Sequence, residues 1–194
     1  MGSAESYARL APVLAGLGAP VHCLPGNHDR PEVLRRALQG LNIHHGAAIE
    51  AGAWRIVLLD TTVPGEDGGR LSDESLRRLD AALGAQRAKP ALIALHHPPV
   101  AIGSPWMDEL GLANPEAFFA VVDRHPQVRA AIFGHIHQPF ETVHKAALIL
   151  GAPATSRQFR PRRADTEMSD EPPACRWLRL HADGRIESEL IWAN

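Results

Sequence analysis

The sequence predicts an α/β fold built on a mixed sheet. Apolar, strand-like runs alternate with amphipathic helical segments along most of the chain, and the carboxyl-terminal part is mostly strand-like. Three of the strand-like runs also end on residues able to ligate a metal: Asn27-His28, His96-His97 and His135-x-His137. In sheets of this kind, ligand sites lie beyond the carboxyl ends of the strands.

Tyr7, Leu10, Leu14 and Leu17 recur at helical spacing behind Ser3 or Ser6 as N-cap. The helix they predict is kinked at Pro12 or begins near it, and Gly16 and Gly18 end it. Pro20–Leu24 reads as a short buried strand running straight into the turn-rich Pro25–Arg30. Pro31 opens a helix whose apolar face is Val33, Leu34, Ala37 and Leu38. Ala47–Glu50 and Trp54–Asp60 form a hairpin through Ala51-Gly52, the second run suiting a strand covered on both faces. Thr61–Arg70 is a polar, glycine-rich loop.

Ser72 caps the next helix, with Asp73 and Glu74 in its first turn and Leu76, Leu79 and Leu83 as its buried stripe. Pro90–Leu95 is an apolar strand. Asn114-Pro115-Glu116 starts a helix that runs to about Arg124 and buries Phe118, Phe119 and Val122. Val128–Phe133 and Thr142–Leu150 each read as strand. Residues 156–173 are polar, with Arg157, Arg160, Arg162 and Arg163 ahead of Asp165, Glu167, Asp170 and Glu171. They read as a flexible loop, with a lid whose arginines grip a phosphate as the other reading. Cys175–His181 and Arg185–Trp192 form a hairpin through Ala182-Asp183-Gly184, so residues 174–194 close the chain. With no internal repeat, one domain is expected over residues 1–194.

The composition narrows the class. The chain is 45% hydrophobic and 22% charged, with a formal charge of -2, which gives no electrostatic argument for nucleic acid or an acidic membrane as a partner. Two cysteines, Cys23 and Cys175, suit a reducing compartment. No apolar run approaches membrane-spanning length and no signal pattern opens the chain, so a cytoplasmic protein is expected. Eleven histidines stand against one tyrosine. In an extended segment His135 and His137 would project to the same side, with Gly134 allowing the backbone to curve. Neutral imidazole is the commonest ligand of divalent transition metals. His97, beside Pro98 and Pro99, shapes its loop or supports a ligand from behind. His22, His44, His45, His125, His144 and His181 read as structural or solvated, and Cys23 as an inert buried thiol.

Gly26-Asn27-His28-Asp29, His96-His97-Pro98-Pro99 and Gly134-His135-Ile136-His137, in this order and spacing, resemble the calcineurin-like metallophosphoesterases. Within that family the resemblance is to the cyclic-nucleotide phosphodiesterase (class III) branch, and it covers roughly residues 6–150. It implies a four-layer α/β/β/α sandwich with a two-metal centre between the sheets. It further implies that Asn27, His96 and His135 ligate the second ion, that His137 ligates the first, and that His28 is catalytic at the phosphate. The cofactors so implied are two divalent ions, Mn, Fe or Zn. The reaction so implied is hydrolysis of 3′,5′-cyclic nucleotides or similar small phosphodiesters, by in-line attack of a metal-held hydroxide.

The family pattern also has an Asp-x-His and a Gly-Asp ahead of the asparagine, and neither precedes Asn27. Asp123-Arg124-His125, Asp29 and Asp60 stand in the wrong places to substitute. The expectation is therefore an N-terminally incomplete sandwich. Its chemistry is either that of the branch or that of a non-catalytic module keeping a half site for one ion. A different substrate, phosphomonoesters or nucleic-acid ends, is a further reading, weakly opposed for nucleic acid by the net charge. An incomplete sheet would expose an edge and apolar surface, which invites a homodimer.

Overall fold

The computed structural model describes residues 2–39, 43–45 and 47–194. Helix α1 spans Ala4–Ala15, and the Ser3 hydroxyl accepts the Ser6 N–H at its start. The helix therefore begins well ahead of Pro12 and runs through it, at the cost of a donor for the Ala8 carbonyl one turn back. Strand β1 (Val21–Cys23) is half-buried where a buried strand was expected, and it pairs in parallel with β2 (Ile43–His45). His44 and His45 contribute backbone to β2, and their side chains lie outside the described residues. Helix α2 (Pro31–Ala37) has its proline in the first turn. Tyr7, Leu34 and Leu38 are buried together with Leu14, Val21 and Val33 packed against them, so α1 and α2 cover the β1–β2 pair in a small core of their own.

The larger core is organised by a six-stranded sheet. Its strands are β3 (Ala47–Ala51), β4 (Trp54–Leu58), β5 (Ala91–Leu95), β6 (Val128–Phe133), β7 (Phe140–His144) and β8 (Ala147–Gly151), in the spatial order β3-β4-β5-β6-β8-β7. The four inner strands are mutually parallel, and each edge strand is antiparallel to its neighbour. The run expected as one strand over Thr142–Leu150 is thus two strands, turned at Lys145 with φ of +52°. Apolar character on both sides of that turn hid it.

Alternation along the strands sorts the side chains to two faces. Val57, Ile93, Leu95, Ala131, Phe133 and Ile149 meet Leu79 and Leu83 of α3 (Asp73–Gly84) and Phe118, Val121 and Val122 of α5 (Pro115–Val122). Trp54, Leu92 and Ala130 face the other way, against Leu178, Leu180 and Ile186 of the hairpin β9 (Ala174–Leu180) and β10 (Ile186–Trp192). The Trp54 indole N–H donates to the His181 carbonyl at 2.7 Å and fastens the hairpin to the sheet. Helices, large sheet and hairpin therefore stack in that order, a mixed α/β sandwich.

Two further departures from the sequence reading bear on the site. A four-residue helix, α4 (Pro105–Asp108), is too short to have shown a periodicity. Asn114 does not cap α5 with its side chain. Its amide instead accepts the Leu71 N–H at 3.0 Å and donates to the Leu71 carbonyl at 2.9 Å, clamping the end of the 61–70 loop.

Leu79 is fully buried between α5 and the sheet. Leu79→Ala is expected to lower unfolding stability by about 2–5 kcal/mol, measured as a reduced urea midpoint.

Candidate metal centre

The carboxyl ends of β4, β5 and β6 deliver Thr61, His96 with His97, and His135 with His137 to one rim of the sheet. Leu95 and Phe133 are register partners, so the residues that follow them emerge side by side. The His135 Nδ1 and the His96 Nε2 lie 3.1 Å apart. From the other core, the turn after β1 brings the Asn27 Oδ1 to 3.0 Å from the same His96 Nε2. That turn is closed by Asp29, whose Oδ2 accepts the Gly26 N–H at 2.9 Å and whose Oδ1 accepts the Tyr7 hydroxyl at 2.7 Å. Helix α1 thus moors Asn27 through one buried phenol, whose own ionisation burial and Asp29 push up to about 12. Gly26 is obligatory here: a Cβ would stand 2.7 Å from the His96 ring.

The backbone delivers the histidine pair in a way the sequence did not suggest. His135 and His137 are not extended; both have left-handed backbone, with φ of 61° and 46°, on either side of the fully buried Ile136. Left-handed backbone is uncommon outside glycine, although histidine is among the residue types enriched there, and such strain clusters at functional sites. The curvature assigned to Gly134 is therefore carried by the two histidines themselves. The His137 Nδ1 faces the Arg157 carbonyl at 3.0 Å, so this nitrogen bears the proton and Nε2 keeps its lone pair. Phe159 stacks on the same ring at a centroid distance of 4.9 Å, and its N–H donates to the His137 carbonyl at 2.9 Å.

His97 is fully buried, and both its nitrogens are engaged. The Asp67 carbonyl, an acceptor only, takes the Nε2–H at 3.1 Å, which leaves Nδ1 to accept the Thr61 hydroxyl at 2.7 Å. A Cβ on Gly69 would come within 2.2 Å of this ring, so only glycine lets the 61–70 loop close over it. His28 sits exposed at the rim, near enough to act electrostatically on His96, His135 and His137.

The donor set can be tested for a cation from this geometry. Asn27 Oδ1, His96 Nε2 and His135 Nδ1 can each offer a lone pair in the appropriate tautomer, and the one in-plane direction of His96 Nε2 cannot satisfy both neighbours by hydrogen bonding. The buried Nε2 of His135 has no hydrogen-bond partner among the described residues. Two donors about 2.1 Å from a shared ion sit roughly 3.0–3.4 Å apart in octahedral or tetrahedral geometry. The observed 3.0 and 3.1 Å fall in that range. Burial, reinforced by the neighbouring imidazoles, pushes His96 down to about 2 and His135 down to about 3. Both rings are therefore in the neutral, ligating form without a proton to displace. The residues present fit a divalent ion.

The carboxylates set aside in the sequence are occupied elsewhere. Asp60 Oδ1 accepts from the Thr62 N–H and hydroxyl, and Asp123 binds His144 and Lys145. His125 is buried on Asp80, and His181 pairs with Glu187. Cys23 is half-buried, and burial raises its thiol above the usual range. The sequence reading overlooked Tyr7, Thr61, Asp67 and Phe159, which position the histidines and Asn27. A faint signal existed only for Asp67, which precedes Gly68-Gly69 in a polar loop. In the 156–173 segment, Phe159 bridges to Met168, while Arg160 pairs with Glu167 and Asp170 and Arg163 with Glu167.

Comparison with known proteins adds a second line of observation. A model of the calcineurin-like phosphoesterase family matches residues 2–139. The 3′,5′-cyclic adenosine monophosphate phosphodiesterase CpdA of Pseudomonas aeruginosa is 41% identical over 97% of this chain and 69% of its own length. A 3′,5′-cyclic-nucleotide phosphodiesterase of Nostoc sp. is 38% identical over 97% of this chain and 71% of its own. Among solved structures, TT1561 of Thermus thermophilus superposes with a TM-score of 0.59 at 15% identity, covering 86% of this chain and 79% of that one. A dimetal phosphatase from Danio rerio gives 0.52 at 14% identity, with 78% of each chain covered. These two share the fold.

The depressed imidazoles set the pH dependence of the metal-free chain. Burial lowers His96, His97 and His135 below the value near 6.5 at which they protonate when unfolded, so below that pH the unfolded state binds more protons. Stability is expected to be full above about pH 6.5 and to fall as the pH drops, by up to about 1.4 kcal/mol per unit for each imidazole. Urea midpoints at descending pH check this; a flat profile would contradict it.

Proposed function

The chain belongs to the calcineurin-like phosphoesterase family, and on that premise we propose that it is a metal-dependent phosphodiester hydrolase acting on 3′,5′-cyclic nucleotides. One observation carries the reading: three uncharged donors, Asn27 Oδ1, His96 Nε2 and His135 Nδ1, converge at ligand spacing. Relatives at 38–41% identity are named for hydrolysis of that substrate class.

In this reading Asn27, His96 and His135 hold one divalent ion, and His137 helps to hold a second through Nε2. Nitrogen and oxygen donors of this kind suit Mn, Fe or Zn. Bound there, such ions draw charge from the phosphoryl oxygens and make a water acidic enough to attack phosphorus near neutral pH. The chain's own residues do the rest. His97, locked between Thr61 and Asp67, packs edge-on to His96 at 4.9 Å and holds that ring in place. The Arg157 carbonyl and Phe159 fix the ring plane of His137. His28 has an exposed ring with no hydrogen bond among the described residues, which leaves it free to reach substrate. It gives a proton to the departing ester oxygen as the phosphorus–oxygen bond breaks and the bond from water forms.

A small substrate suits the net charge of -2 better than nucleic acid does. Among the described residues no helix is long and apolar enough to cross a membrane, and the free thiols of Cys23 and Cys175 support a cytoplasmic setting. Exposed Leu10, Val13 and Leu17, in and just after α1, support self-association as a homodimer.

The purified chain, supplied with Mn, is expected to hydrolyse 3′,5′-cyclic AMP and bis(p-nitrophenyl) phosphate, and to lose activity on chelation. His28→Ala should lower kcat by about 10²–10⁴-fold while leaving the bound Mn content unchanged. Chain loaded with Mn that cleaves neither ester would overturn the proposal.

A further inference from the structure

Asn27 is an amide, and an amide presents its oxygen to a cation only if something decides which way round it sits. Its Oδ1 faces His96 Nε2 at 3.0 Å, while its Nδ2 donates to the Asp67 Oδ1 at 3.3 Å. A carboxylate accepts hydrogen bonds and cannot donate them. The flipped amide would set oxygen against oxygen at the Asp67 contact, so that contact specifies the orientation. Asp67 holds a second point of the same site, because its main-chain carbonyl accepts the Nε2–H of His97. The loop that carries it is itself clamped, by Gly69 closing on the His97 ring and by Asn114 on Leu71.

We propose that Asp67 is a positioning residue of the metal centre, which holds the Asn27 amide oxygen toward His96 and His135 and so sets the affinity for the ion. The proposal rests on the metal-site reading above and deepens it. Asp67 is not itself placed as a ligand. It acts through Asn27, in the manner of the hydrogen-bonding partners that orient ligands at metal sites.

Calorimetric titration of Mn into the metal-free 194-residue chain tests this, with urea midpoints of the metal-free variants alongside. Asp67→Ala should weaken Mn binding by about 10–100-fold and leave the urea midpoint unchanged, since Asp67 is exposed. Asp67→Asn, whose amide oxygen still accepts from Asn27, should retain most of the affinity. Wild-type affinity in Asp67→Ala, beside weakened binding in Asn27→Ala, overturns the positioning role and leaves the metal site standing. Undiminished binding in Asn27→Ala removes the site reading and this proposal with it. A loss in Asp67→Ala that Asp67→Asn does not recover marks a damaged loop and overturns the proposal.

Discussion

The crowding of two polar atoms around the His96 Nε2 is the constraint on which the rest of the molecule depends. An oxygen and a nitrogen approach it at 3.0 and 3.1 Å, in a pocket where burial keeps the imidazoles neutral. A single ring nitrogen cannot direct one hydrogen bond at both neighbours, and the cluster persists because two separate parts of the fold hold its members. The parallel pairing of β5 and β6 holds the two histidines, and the Tyr7–Asp29 link to α1 holds the asparagine. Close packing behind the rings, with no room for a side chain at Gly26 or Gly69, prevents the cluster from relaxing apart.

Support for the site is uneven in kind. His97 and His137 are fixed by main-chain carbonyls, of Asp67 and Arg157, which depend on loop path more than on side-chain identity. Asn27 depends on a side chain, and His96 on packing against neighbouring rings. A loop that keeps its backbone course can vary in sequence at Arg157 and still hold His137. The same tolerance does not extend to Gly69, where space is the requirement.

Much of this was legible in the chain. Strands β5 and β6 were readable because their apolar runs lead straight to histidines, and α2 and α3 because Pro31 and Ser72 mark their starts. The turn at Lys145 was not, since an apolar run on both sides of a left-handed lysine looks like one strand. Asn27, His96, His135 and His137 stood out through motif spacing, and the structure gathers their loops at one rim. The reason given for the histidine pair was nevertheless mistaken, because an extended segment and two left-handed residues both bring alternate side chains together. Contacts made across long separations left no local mark. Tyr7 on Asp29, Asp67 on Asn27 and Phe159 on His137 join positions that no sequence period relates.

Those separations also bear on how the molecule reaches its native state. The donors on either side of His96 lie 69 and 39 positions from it along the chain. Closing both loops costs entropy before either contact offers a return, so the cluster belongs among the last parts to assemble. An ion bound by a site that forms late stabilises the native state more than the folding transition state, and so slows unfolding without hastening folding. At a hundredfold excess over Kd that stabilisation is about 2.7 kcal/mol. In the cell, metal supply would then govern the lifetime of the folded chain, and with it exposure to proteolysis.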